Sequence, residues 1–138
     1  MDLSYLITPF WAWLLAGCTK FVINSAKEKR LAFDLIGYGG LPSNHTSIVT
    51  SAAAIIAFKE GFHNPALVVA IALAFIVTLD ANSLRQKVGL HAQAINKLNQ
   101  DNHAHIRLRE KMGHTRIEIF SGILVGIFSA WSITLLWT

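Results

Sequence analysis

The chain has 138 residues, 53% of them hydrophobic and 14% charged, with a mean hydropathy of +0.44. Soluble domains usually carry about a quarter charged residues, so this composition excludes an ordinary water-soluble domain. The length admits one domain holding at most four or five membrane spans of roughly 20 residues each. A formal charge of +4 raises nucleic acid as a partner, but no basic stripe interleaved with aromatics accompanies it and no nucleic-acid partner is expected. In so apolar a chain the cations report membrane topology and anionic headgroups instead. The lone Cys18 leaves neither a disulfide framework nor a cysteine metal site within one chain.

In chain order, the first apolar block runs from Leu3 to Ile23, with Asp2 the only charge before Lys20. A cleaved signal peptide would begin with cations, so the block reads as a retained membrane helix. Asn24 to Gly40 is charged, ends in Gly-rich sequence and reads as a loop. Thr46 to Phe58 predicts a second helix that needs its flanks to reach spanning length. Its Ser47, Ser51, Ala52 and Ala54 suit close helix packing in a membrane. Gly61 to Pro65 is a turn, and Ala66 to Leu79 is a third, continuous apolar helix that ends in Asp80, Asn82 and Arg85. Residues 86–112 place Val88, Ala92, Ile95 and Leu98 at helical spacing, as an interfacial amphipathic helix does. A solvated loop helix is the alternative. Ile117 to Trp137 is the fourth span, with Trp131 and Trp137 as interface anchors. The expectation is an all-α, polytopic membrane bundle of about four transmembrane helices with one interfacial segment, forming a single domain over residues 1–138.

Four spans put the first and third loops on one side of the bilayer. Every Lys and Arg except Lys59 then lies on that side, which the positive-inside rule makes cytoplasmic, with both termini outside. Phosphate-binding cations would gather there for chemical reasons too. The same topology brings Lys20, the Gly39-Gly40-Leu41-Pro42-Ser43-Asn44-His45 run, Asp80 with Arg85, and Gly113-His114-Thr115-Arg116-Ile117-Glu118 to one end of the bundle. Ionisable groups at membrane depth are costly and mark functional sites.

Each group has a chemical and a plain reading. Gly39 and Gly40 before a helix start let backbone N–H groups approach an anion, while Ser43 is also an ordinary N-cap. His114 and Glu118, four apart at a predicted helix start, would face one way, the carboxylate orienting the imidazole. The same pair could be merely structural. Asp80 could pair with Arg85 or Lys20, or position a phosphate-binding arginine. His91, His103 and His105 are explained more simply as loop histidines than as metal ligands, and no metal or other cofactor is expected.

Taken together, Gly-Gly-Leu-Pro-Ser-Asn-His at 39–45, Asp80-Ala81-x-x-x-Arg85 and Gly113-His114-x-x-x-Glu118 make the chain resemble the divergent branch of the type 2 phosphatidic acid phosphatases. Those are related to acid phosphatases and vanadium-dependent haloperoxidases, and the resemblance runs from about Leu14 to the end. It implies that His114 is the nucleophile that takes the phosphoryl group, oriented by Glu118, and that His45 is the general acid. Lys20, Gly39, Gly40, Ser43 and Arg85 would form the phosphate cradle, supported by Asp80, Asn44 and Arg116. The chain departs from the family pattern in several places. Glu118 stands where the superfamily has Asp, Asn44 where it has Gly, and Lys27 without a following Pro where it has Arg-Pro. Arg85 is separated from His114 by the whole amphipathic segment, which makes Arg116 a competitor. Six helices are reduced to about four, which leaves room for a homodimer to complete the bundle.

The resemblance therefore implies a metal-independent lipid phosphatase in the bacterial inner (plasma) membrane, working through a phosphohistidine. Its substrate would be a lipid phosphate such as phosphatidylglycerophosphate, a polyprenyl diphosphate or phosphatidic acid. The alternative is a non-enzymatic membrane protein that binds anionic lipid headgroups or a protein partner.

Overall fold

The computed structural model describes residues 2–31, 40–101 and 106–137. Among them are helices α1 (Ser4–Glu28), α2 (Asn44–Glu60), α3 (Pro65–Leu79), α4 (Arg85–Leu98) and α5 (Arg116–Leu136), with a π turn at Asp80–Leu84 and no strands. Local chemistry sets the helix starts. The Thr46 N–H donates to Ser43 Oγ and the Ala66 N–H to Asn64 Oδ1, with Pro65 as the first residue of α3. Thr115 and Glu118 form a reciprocal capping box at the start of α5.

Helix directions follow from the contacts at each end. Lys59 bonds to Asp2 Oδ2 at 2.6 Å and Tyr5 Oη donates to Glu60, which sets α1 antiparallel to α2. Gly122 lies against Ser43, and Gly126 against Ser47 and Thr50, so α2 and α5 run parallel. The Trp11 indole N–H donates to Ser132 Oγ at 3.0 Å, between antiparallel α1 and α5. Helix α2 is the hub, packing on α5, α1 and α3.

The interior is made mostly of small residues. The buried face of α1 is Ser4, Thr8, Ala12, Ala16 and Lys20, one residue every four. Helix α2 contributes Thr46, Ser47, Ser51 and Ile55, and α5 contributes Ile119, Gly122, Gly126, Ser129, Ala130 and Ile133. Buried hydroxyls donate to carbonyls of their own helix or its cap: Thr8 to Ser4, Ser47 to Ser43, Ser51 to Ile48 and Ser129 to Val125. Bulky apolar side chains such as Phe10, Trp13, Val69, Phe75, Phe120 and Phe128 lie on the outside. Small residues inside and large apolar residues outside is the arrangement lipid favours, because helices then associate by close packing rather than by burying grease.

Three helices are long and apolar enough to cross a membrane: Ser4–Glu28, the continuous helix Pro65–Leu98, and Arg116–Leu136. At 17 residues, α2 is about 26 Å long, short of the roughly 30 Å hydrocarbon core.

Three sequence expectations are corrected. Helix α1 continues to Glu28, so Lys20 sits on a buried helix face and not at a helix end. The third helix does not finish at Asp80. It passes through the π turn into α4 as one 34-residue helix, roughly 51 Å long and longer than the bilayer core. Residues 86–112 are not one amphipathic element either. Helix α4 ends at Leu98, and described residues 106–115 run back along it without regular structure. The buried face of α4 is Gly89, Ala92 and Asn96, and of the expected stripe Val88, Ile95 and Leu98 are exposed, as residues turned toward a membrane surface would be.

Candidate active site

Three chain-distant segments meet at one end of the bundle. The Ser43 N–H donates to Glu118 O at 2.9 Å, joining the turn before α2 to the first turn of α5. The His114 N–H donates to Ala81 O at 3.0 Å, joining the segment before α5 to the π turn. In that turn the Arg85 N–H reaches back five residues to Asp80 O, and the widened backbone presents the Ala81 carbonyl to His114. A π turn at such a point is a common functional device. Gly113 has φ +90°, and a Cβ there would meet Gln86 Cγ at 2.8 Å. Only glycine lets the chain pass this close before turning into His114.

His114 is 8% exposed, and its Nδ1 is buried without a hydrogen-bond partner. Burial pushes its pKa down, and the nearby cations Lys20 and Arg85 and the imidazole of His45 push the same way against the opposing Glu118. The shift favours the neutral ring, the form a nucleophile or base requires. His45 is exposed in the first turn of α2, within electrostatic reach of Arg85, Lys20 and Asp80. Lys20 is 3% exposed and feels the charge of Glu118. Arg85 Nε lies 3.1 Å from Asp80 Oδ2, so Asp80 holds the arginine. The i,i+5 spacing of that pair is set by the π turn.

The structure thus brings together His45, His114, Lys20, Arg85, Asp80 and Glu118. Other expected residues serve differently. Glu118 does not orient His114 through helical i,i+4 geometry, because α5 starts at Arg116 and His114 precedes its Thr115 cap. The Glu118 carboxylate instead accepts from the Thr115 N–H at 2.7 Å. Ser43 is fully buried, and its Oγ accepts from Thr46 N and Thr46 Oγ1, which makes it an N-cap. Asn44 Oδ1 is buried without a partner. Gly40, at φ +129°, sits against Asn24 of α1. Gly39 lies outside the described residues, as do His103 and His105. Among the described residues no three His, Cys, Asp or Glu cluster as metal ligands. Arg116 lines a separate, apolar groove with Leu79, Ile119, Phe120 and Ile123, whereas Arg85 acts electrostatically on both histidines.

A cleft of about 790 Å³ opens on one flank of His114, walled by Gly40, Glu118, Lys27 and residues 107–113. Three features went unread in the sequence although their signals are there. Gly122-x-x-x-Gly126 is the small-residue pattern of close helix pairs, Thr115-x-x-Glu118 is a capping-box signature, and Ser4 to Lys20 repeats every four residues. The π turn has no comparable signal.

Comparison with known proteins agrees with this architecture. The chain is 29% identical over 139 residues to a protein of Bacillus subtilis (strain 168) called uncharacterized membrane protein YuiD, covering 88% of each chain. No solved structure matches. The sequence model of the divergent PAP2 family matches residues 1–129. With its helices, its apolar exterior and its two histidines at one end, the chain belongs to the divergent PAP2 family.

Proposed function

We propose that the chain is a membrane-embedded lipid phosphatase that works through a phosphohistidine. One observation carries the reading: backbone bonds from Ser43 to Glu118 and from His114 to Ala81 draw the segments of His45, His114 and Arg85, far apart in sequence, to one end of the bundle. In the proposed reaction a nitrogen of His114 attacks phosphorus as the bond to the leaving oxygen breaks, and His45 protonates that oxygen. Water, deprotonated by His45, then attacks the phosphohistidine, the P–N bond breaks and inorganic phosphate leaves. Lys20 and Arg85 offset the charge on the transferring group. The substrate is a lipid phosphate or diphosphate of the phosphatidylglycerophosphate, polyprenyl diphosphate or phosphatidic acid class. In this reading α2 serves as the fourth, short span, and the cation-rich end faces the cytoplasm of a bacterial inner membrane.

The experiment is phosphate release from a panel of lipid phosphates by purified protein with EDTA present. Release that persists is expected. Activity lost with EDTA and restored by a metal would overturn the mechanism. A second reading, a non-enzymatic binder of anionic headgroups, is favoured by one observation: the carboxylate expected to orient His114 is committed to the capping box. It predicts binding of anionic vesicles with no turnover of any substrate, unchanged in His114→Ala.

A further inference from the structure

Beyond the site itself, the segment that carries His114 is held by a residue that neither sequence pattern nor mechanism singles out. Asn96 is 9% exposed near the far end of α4. Its Nδ2 donates to Leu108 O at 2.8 Å and to Glu110 Oε1 at 2.9 Å, and its Oδ1 accepts from the Leu108 N–H at 2.8 Å. The side-chain amide therefore pairs with Leu108 as a neighbouring strand would. Arg107 steadies the same carboxylate, 3.3 Å from Glu110 Oε1. About two turns nearer the site, a Cβ on Gly89 would stand 2.4 Å from Glu110 O, so the returning backbone lies directly on the helix there. Gly113 on Gln86 and His114 on Ala81 complete the seam. The lengths agree: six extended residues from Leu108 to His114 span roughly 20 Å, and fifteen helical residues from Ala81 to Asn96 rise about 22 Å.

We infer that Asn96 is a positioning residue for His114, clamping residues 108–113 along α4 so that the histidine is delivered buried beside Arg85 and His45. The inference rests on the phosphatase reading for its catalytic consequence, but the clamp itself has a readout without turnover. Asn96→Ala removes both bonds to Leu108. Gly89→Ala lifts the same backbone by a different route. Gln93→Ala, at an exposed position on the same helix, is the control.

The full chain in detergent is treated with diethylpyrocarbonate, and modification of His114 is followed by mass spectrometry against exposed His63 as internal reference. Asn96→Ala and Gly89→Ala should raise the His114 rate about tenfold, the scale of one to two lost net hydrogen bonds, and Gln93→Ala should leave it unchanged. On a lipid phosphate the first two should lower kcat more than they change KM. An unchanged His114 rate in both variants would overturn the inference. Loss of helicity in both would also overturn it, because Asn96 would then support the fold at large. Wild-type protein that turns over no lipid phosphate would defeat the phosphatase reading alone and leave the modification experiment to decide the clamp.

Discussion

Replacing Gly126 with alanine tests whether the bundle that assembles the site is packed as described. The new Cβ would lie 2.7 Å from Ser47 O, 2.8 Å from Thr50 Cβ and 3.0 Å from Ser51 N, against 3.4 Å or more for ordinary contact. None of these atoms can move aside by a rotamer change, since each is backbone or Cβ of α2. The helices must separate by several tenths of an ångström, and overpacking of this kind costs about 1–3 kcal/mol. Gly17 is the matched control: a Cβ there meets nothing within 4 Å, and alanine in a helix interior should stabilise by about 0.5–1 kcal/mol. Reversible unfolding in mixed micelles, followed by tryptophan fluorescence, reads both. Opposite signs are expected. A Gly126→Ala protein as stable as wild type would show that α2 and α5 are not in contact, and the placing of His45 beside His114 would fall with it. Gly122→Ala should also impair turnover, because its Cβ would meet Ser43 O at 2.7 Å, in the turn that leads to His45.

His114→Ala should abolish turnover, while His45→Ala should spare a nitrophenyl ester more than a lipid phosphate, because an acidic leaving group needs less protonation; equal losses on both substrates would contradict the division of roles. Arg85→Gln should lower kcat/KM on the order of a hundredfold, the scale of removing one transition-state donor, and Arg116→Gln should change it only a few-fold; the reverse order would make Arg116 the phosphate ligand. Burial first, then neighbouring Lys20, His45 and Arg85, depress the pKa of His114, so the acid limb of kcat/KM should fall below the ordinary imidazole value of about 6.5. The sign carries over to stability: as pH falls, the unfolded chain takes up the proton first, so the contribution is complete above the unfolded pKa and is lost progressively as pH falls through the lower folded pKa. An acid limb at or above the ordinary value would show that His114 is solvated.

Much of this architecture is legible in the chain because membranes enforce simple rules. Apolar blocks of spanning length announce α1 and α5, a shorter continuous apolar block announces α3, and the turn at Gly61 to Pro65 is marked by its own residues. The gathering of His45, Arg85 and His114 at one end followed from counting spans. The continuity of α3 with α4 was harder to see, because Asp80, Asn82 and Arg85 look like a helix end, and only the π turn with its Asp80–Arg85 pair lets the helix carry them onward. The placing of Glu118 against His114 differs from helical i,i+4 geometry for a local reason. Thr115 is as good a cap as the sequence offers, and a cap residue starts the helix after His114. Asn96 gave no signal at all, since a polar residue on an amphipathic helix is indistinguishable from a solvated one until Leu108 is seen to return against it.

The measurement that reaches the central claim most directly is capture of the phosphoenzyme. Purified protein is mixed with a lipid phosphate, quenched in alkali where phosphohistidine survives, and mapped by mass spectrometry. A phosphoryl group on His114, absent from His114→Ala and accumulating in His45→Ala with a good leaving group, is the predicted result. Phosphate release from the wild type with no phosphoryl group ever found on His114, or the same group found on another residue, would contradict it.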